Sequence, residues 1–402
     1  MSDFHQFGPV TALPRLVARP VEDLERQILA LTTRFPVALV IPILPGEMDR
    51  PALGRILEEL CRVAYVDTLT VSLNKASLDD YKRANDYFSP YPWRKVVLWN
   101  ESPAVQSFVD HMRALGLDTG ESGKGRACWL AMGHVLAEER VEYIAFQDAD
   151  VVNYSREMLA RLVLPAIDPT VDFDFVKGYY ARVSDRLHGR LTRLMLAPLL
   201  TAFTRLIGAD PYIRYLSSFR YALSGEFAVK CDLAQRMRLP SDWGLEIGTL
   251  FEALRHRSAS RVCQVELADR YDHKHQELSP DDASKGLHRM AKDVVKQLFR
   301  TLAANGVGLT GGLLRSLLAA YQREAEDAVA DSYAVATING LVYERHEEER
   351  NVQTFAAALR ASIDEFLMDP LGPPLVPNWV RVLAGMPDAG ARLMAAVAEG
   401  AN

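Results

Sequence analysis

The stretch from Val37 to Leu44 reads VALVIPIL. It is an unbroken apolar run with β-branched residues and no polar alternation. That is the pattern of a strand buried on both faces of a parallel sheet. It ends at Pro45-Gly46, a turn pair. Asp49 then stands where it can cap a helix that begins near Pro51 and reads PALGRILEELCRVA. Working outward, the alternation repeats. Thr68 to Leu73 (TLTVSL) predicts a strand, Leu78 to Tyr87 a helix, Lys95 to Trp99 (KVVLW) a strand, and Ala104 to Leu115 a helix. A loop with Gly120, Gly123 and Gly125 leads into a helix over Arg126 to Leu136. Tyr143 to Phe146 (YIAF) is a strand that runs into Gln147-Asp148-Ala149-Asp150. Strands and helices alternating at this length predict an α/β fold with a Rossmann-like, nucleotide-binding sheet.

Beyond Asp150 the pattern loosens. Phe173 to Tyr179 predicts a strand, Leu187 to Leu206 carries apolar residues at helical spacing, and Val262 to Leu267 is a short strand. From about Pro280 the chain reads mainly as helix until Pro370, where Pro373, Pro374 and Pro377 break it. The expected organisation is an N-terminal extension (1–35), an α/β domain (36–279) and a helical C-terminal region (280–402) packed on that domain or on a partner subunit.

Composition narrows the function classes. A chain of 402 residues allows two or three units of roughly 100–200 residues. With 49% hydrophobic and 24% charged residues, long disorder is excluded. The 24 Gly and 21 Pro show no period, which excludes a collagen-like chain. Against 46 basic residues stand 52 acidic ones, a net charge of −6. Such a chain has no global attraction for nucleic acid or anionic lipid, so a polyanion site must be a local patch. Cys61, Cys128, Cys231 and Cys263 lie far apart with no CxxC pair. They read as buried free thiols, not as a disulfide framework or a zinc site. There is no apolar run of about 18 residues to span a membrane. The opening MSDFHQFGPV lacks a basic region followed by an apolar core. A cytoplasmic setting is the default expectation.

Five groups of residues can carry chemistry. Asp148 and Asp150 follow a strand, and ligands of open α/β sheets bind beyond the carboxyl ends of the strands. Two carboxylates there suit a divalent cation that bridges phosphates, although a bare DxD also occurs on solvated turns. Gly123-Lys124-Gly125-Arg126 opens a helix: glycines let backbone amides approach a phosphate, and the helix terminus and lysine favour an anion. The P-loop spacing is absent. Asp272-His273-Lys274-His275 reads either as a metal and substrate site or as a solvated basic turn. Leu223-Ser224-Gly225-Glu226 and Pro240 to Glu246 form the fourth group, in which Asp242 can cap a helix and Glu246 lies in its first turn, where capping carboxylates are common. Lastly, Lys177, Arg182, Arg186, Arg190 and Arg193 crowd together, as a solvated helix face or as a seat for a small anionic acceptor.

In this order the pieces resemble the GT-A fold glycosyltransferases. They are most similar to the retaining glucosyl-3-phosphoglycerate synthases over about 36–280. The resemblance is carried by Pro42-Ile43-Leu44-Pro45-Gly46-Glu47, Gly123-Lys124-Gly125, Asp148-Ala149-Asp150, Leu223-Ser224-Gly225-Glu226, Gly244-Leu245-Glu246-Ile247-Gly248 and His273. Asn339-Gly340-Leu341 and Glu344-Arg345-His346 also look like the tail of the longer members. The resemblance implies transfer of glucose from an NDP-glucose donor to the 2-hydroxyl of 3-phosphoglycerate with Mg2+ or Mn2+. It also implies that the product, glucosyl-3-phosphoglycerate, feeds glucosylglycerate, a compatible solute, or a precursor of methylglucose polysaccharides.

Site roles follow from the same resemblance. Asp150 and His273 would bind the metal, with His275 as the competing ligand in the His-Lys-His order. Lys124 would contact the donor diphosphate, beside Asp148 and Ala149. Pro42, Leu44 and Glu47 would line the nucleoside pocket, with Asn74 near the base. Glu246, with Asp150 and Lys124, would serve the reacting centre. Arg190, Thr192, Leu223 and His275 would hold the acceptor. The expected partners are the nucleotide sugar and 3-phosphoglycerate, with no nucleic acid and no membrane, and a homodimer by analogy.

Competing readings are transfer of mannose or glucose to glycerate or 3-phosphoglycerate from another nucleotide sugar, a sugar-1-phosphate nucleotidyltransferase, and a non-catalytic nucleotide-sugar binder. The nucleotidyltransferase reading expects a basic glycine-rich loop directly after the first strand. Pro45-Gly46-Glu47 stands there instead.

Overall fold

The protein is represented by a computed structural model that describes residues 6, 8–269 and 286–400. The strands are β1 (Thr11–Leu13), β2 (Val37–Ile43), β3 (Val66–Leu73), β4 (Lys95–Trp99), β5 (Tyr143–Phe146), β6 (Phe175–Tyr180), β7 (Phe227–Lys230) and β8 (Val262–Ala268). They form one sheet in the order β1-β8-β6-β7-β5-β2-β3-β4. Helices α1 (Val21–Thr32), α2 (Pro51–Leu60), α3 (Leu78–Tyr87), α4 (Pro103–Ala114), α5 (Lys124–Glu138), α6 (Arg156–Ile167), α7 (Ala197–Ile207), α8 (Pro211–Leu216), α9 (Cys231–Ala234) and α10 (Leu245–His256) connect the strands. After β8 come α11 (Gly286–Ala304), α12 (Gly311–Asn339), α13 (Arg345–Met368), α14 (Trp379–Gly385) and α15 (Ala389–Glu399).

The apolar run of β2 lies at the centre of the sheet, parallel to both β3 and β5. Its alternate residues feed two cores. Ala38 and Val40 join Trp129 of α5 and Phe108 of α4 on one face. Leu39 and Ile41 join Leu53 and Ile56 of α2 on the other. Each large aliphatic side chain removed from water contributes about 1.5–3 kcal/mol, and the polar Ser72 on the neighbouring strand is accommodated by donating to the Ala127 carbonyl. Among the named strands only β7 runs against its neighbours, antiparallel to β5 and β6, with Phe227 opposite Phe146 and Lys177. Stacking of Phe227 on Phe146 and Phe175, at 4.5 and 5.6 Å between ring centroids, fixes that reversal. The reversal has a positional consequence. The loop that precedes β7 lies level with the carboxyl ends of β5 and β6.

Several local expectations change. Asp49 does not cap α2. It closes a 3-10 turn (Pro45–Asp49) and pairs with Arg83, while Arg50 occupies the cap position with no side-chain bond. The helix expected over Leu187 to Leu206 begins as π-helical turns (Leu191–Leu196) before α7. β1 and β7 are short strands that the apolar pattern does not show. The N-terminal segment contributes β1, which pairs in parallel with β8, and α1, which packs on α6. The cysteines are free, Cys128 and Cys263 buried, Cys61 and Cys231 partly exposed. None of the described helices is long and apolar enough to cross a membrane.

Candidate active site

Three elements converge beyond the carboxyl end of β5. Asp148 stands two residues past the end of the strand. Lys124 is the first residue of α5, and Glu246 lies in the first turn of α10. The Lys124 ammonium donates to Asp148 Oδ1 at 2.8 Å and to Glu246 Oε1 at 2.9 Å. The Glu246 side chain is 4% exposed and that of Lys124 20%. Glu246 is therefore not a solvated capping carboxylate. A lysine at a helix N-terminus opposes the helix dipole, so its place there needs these two anions or a ligand. Burial pulls the Lys124 pKa down, but the charges of Asp148 and Glu246 override it and hold it well above the usual lysine value.

The glycines flanking Lys124 have a reason other than the expected room for a phosphate. A methyl on Gly125 would fall 1.9 Å from the Pro240 carbonyl oxygen, and one on Gly123 2.5 Å from that of Ser241. Only bare backbone lets the start of α5 meet the segment entering α10, and this approach delivers Glu246 to Lys124. Asp242 accepts from the Gly244 amide at 2.8 Å, just ahead of that helix.

The loop before β7 closes the other side. A methyl on Gly225 would fall 2.2 Å from a carboxylate oxygen of Asp148. Glu226 is buried and accepts from the Tyr180 hydroxyl at 2.8 Å. Leu223 is also buried.

On the β2–β3 side, Pro42 is the penultimate residue of β2, Leu44 is half-exposed, and Glu47 accepts from the Leu44 amide at 3.1 Å. The Asn74 amide donates to the Ile43 carbonyl, and its own side-chain oxygen accepts from the Ser122 hydroxyl at 3.2 Å. Pro42, Leu44, Glu47 and Asn74 thus share one rim, one strand away from Asp148 and Ala149.

The basic cluster divides. Lys177 is not on a surface: it is 0% exposed within β6. Arg190 meets Glu347 of α13 at 3.2 Å, and Arg193 meets Glu348 at 2.7 Å and Ser332 of α12 at 3.0 Å. Thr192 lies in the π-helical turns between them. This loop reaches toward the site through Arg182, which donates to the Tyr221 hydroxyl at 3.2 Å.

His273 and His275 lie outside the described residues. Among the described residues no group of three or more His, Cys, Asp or Glu is arranged to hold a metal ion. Asp148 and Asp150 supply hard oxygen donors of the kind Mg2+ and Mn2+ take, so the described part fits such an ion as an incomplete ligand set. Motif reading left Tyr180 and Ser122 without a role, and it grouped Lys177 with a surface cluster to which the buried side chain does not belong. The signal for Lys177 was available: a lysine inside the apolar strand FVKGYY.

No family model matches the chain. The chain is 40% identical over 399 residues to the glucosyl-3-phosphoglycerate synthase of Persephonella marina, covering 99% of each. It is 36% identical over 377 residues to that of Methanococcoides burtonii, covering 92% of each. Among solved structures, the Mycobacterium tuberculosis glucosyl-3-phosphoglycerate synthase in complex with Mn2+, UDP-glucose and phosphoglyceric acid matches at a TM-score of 0.54 and 21% identity, over 76% of this chain and 90% of that one. The Rubrobacter xylanophilus mannosyl-3-phosphoglycerate synthase matches at 0.56 and 21%, over 75% and 83%. These structures share the GT-A architecture with the sheet described above, and the two full-length sequence matches settle the rest: the chain belongs to the glucosyl-3-phosphoglycerate synthase family.

Proposed function

We propose that the protein is a retaining, metal-dependent glycosyltransferase that moves glucose from a nucleoside-diphosphate glucose to the 2-hydroxyl of 3-phosphoglycerate. The observation that carries this is the convergence of Lys124, Asp148 and Glu246 beyond β5, in a chain that matches its relatives end to end. Without substrate, Asp148 and Glu246 occupy Lys124. The donor diphosphate displaces them, and Glu246 then faces the sugar hydroxyls. Asp150 and His273 would hold Mg2+ or Mn2+, with Asp148 supporting the nucleotide, and the ion would supply further positive charge to the diphosphate. Pro42, Leu44, Glu47 and Asn74 form the nucleoside rim.

Arg190, Thr192, Leu223 and His275 receive the acceptor, the arginine fork suiting its phosphate. The bond from the anomeric carbon to the diphosphate breaks as the bond to the acceptor oxygen forms on the same face. The hydroxyl proton leaves with the diphosphate. Lys124 acts by offsetting charge on the departing group, and the acceptor residues by orienting the attack. The exposed apolar residues Tyr333, Val335 and Ile338 of α12 support association as a homodimer.

The test is a matrix of nucleotide sugars against 3-phosphoglycerate and glycerate with Mn2+ or Mg2+, read by product mass. The expected product is glucosyl-3-phosphoglycerate. Asp150→Ala is expected to lower nucleoside diphosphate release about 100–1,000-fold and to remove its metal dependence. Full activity in that variant rejects the metal assignment, and a product mass matching no acceptor rejects the reaction.

A further inference from the structure

Lys177 is a cation in the middle of β6 with no exposed surface. Its ammonium donates to the Ser224 carbonyl oxygen at 2.6 Å and stands 5.6 Å from the centre of the Phe227 ring. The loop it holds is tied again to the same strand. The Ser224 hydroxyl donates to the Gly178 carbonyl at 2.7 Å, and the Gly178 amide to the Glu226 carbonyl at 2.9 Å. The next residue, Gly225, lies so close to Asp148 that a methyl there would overlap its carboxylate. A continuous path therefore runs from Lys177 through Ser224 and Gly225 to Asp148, and from Asp148 through Lys124 to Glu246.

Stability does not explain this lysine. A buried charge is costly, and an apolar side chain of similar volume is commonly neutral or better for folding. Burial drives the Lys177 pKa down to about 8, with the nearby charges of Glu246 and Glu226 opposing the shift. A donor of this reach is needed for a different reason: the carbonyl after Leu223 must be pinned if Gly225 is to stay against Asp148.

We propose that Lys177 is a positioning residue, which fixes the Leu223–Glu226 loop through the Ser224 carbonyl and so holds Asp148 against Lys124, the ammonium that also binds Glu246. The proposal rests on the reading of Lys124, Asp148 and Glu246 as the transfer centre. Lys177 does not touch substrate. Its contribution is to the placement of the groups that do, so its loss is felt in turnover and not in substrate capture.

The experiment compares K177M, G225A and the double variant in steady-state transfer with varied donor and varied acceptor, alongside thermal unfolding. K177M is expected to fold with a modestly lower unfolding midpoint, since the Ser224 carbonyl loses its donor, and to lose about 100-fold in kcat, the scale of a misplacement by about 1 Å, with both KM values within about threefold. G225A pushes on Asp148 from the same loop and is expected to lose kcat with Lys177 intact. Because both act through one contact, the double variant should be no slower than the slower single, since residues acting as a unit are not additive.

Full kcat in K177M, or losses that multiply in the double variant, overturns the proposal. K177Q is made in parallel. Failure of both K177M and K177Q to fold would also overturn it, by making Lys177 a folding residue alone. K124M separates the two levels. If K124M retains full transfer, the transfer-centre reading falls. If K124M is impaired and K177M is not, only the role of Lys177 falls.

Discussion

Lys124 bears two anions at hydrogen-bond distance from a position that a helix N-terminus already makes positive. Its loss therefore acts twice. On the proposed reading, Lys124→Met removes the group that faces the donor diphosphate, which predicts a fall of about 100–1,000-fold in kcat/KM. It also leaves the buried Glu246 opposite Asp148 with no cation between them, which predicts a stability loss of about 1–3 kcal/mol. Kinetics and denaturant unfolding of the same variant check both effects. At this scale the sequence was informative where a residue type announces itself. A lysine between glycines, a DxD after a strand and a GLEIG segment were each legible. What escaped was the carbonyl of Ser224 as the partner of Lys177, since a backbone oxygen has no signature. The true cause of Gly123 and Gly125, the approach of Pro240 and Ser241, depends on chain more than a hundred residues away and was hidden for that reason.

Among the elements, the long apolar run of β2 was readable because its burial on both faces suppresses alternation. β7 was not, because Phe227–Lys230 is too short to show a period, and its direction follows from tertiary pairing with β5 and β6. The π-helical turns before α7 are likewise invisible, since the bonding partner i→i+5 leaves no distinct pattern of residue types. A prediction belongs to α11, which presses Asp293 against the start of α10. Burial, and then the charge of Asp242, raise the Asp293 pKa to about 6, against the pull of Lys296 and Arg289 and the Trp243 amide. In the unfolded chain an aspartate titrates near 4. Between about pH 4 and 6 the native state thus binds more protons than the unfolded one, and this group's contribution falls as pH rises. Asp293→Asn should stabilise the protein by about 1–3 kcal/mol at pH 7. The gain should vanish near pH 4, as followed by urea unfolding at the two pH values.

For the molecule as a whole, the helical tail packs along the sheet domain through α11, α12, α13 and α15, and two of its junctions have consequences. At one, Trp379 of α14 stacks on Trp129 of α5 at 4.7 Å and donates to its carbonyl at 3.2 Å, while Trp129 donates to the Pro377 carbonyl at 2.8 Å. Gly133 leaves the room, because a methyl there would fall 1.7 Å from the Trp379 ring. Trp379→Ala empties this site and should cost about 3–5 kcal/mol, seen as a lower thermal midpoint. The helices of the tail were legible in their apolar spacing, but their return to the back of α5 was not, since contacts some 250 residues apart have no local pattern.

The second junction has a consequence for how such enzymes diversify. Glu347 and Glu348 grip Arg190 and Arg193, and the Val342 amide donates to the Asp185 carbonyl at 2.8 Å. A recombinant inheriting its tail from another homologue would therefore re-aim these arginines while the proposed nucleoside rim stayed as it was. On the proposed assignment of Arg190 to the acceptor, exchanging the helical tail changes the acceptor seat and leaves the donor side in place.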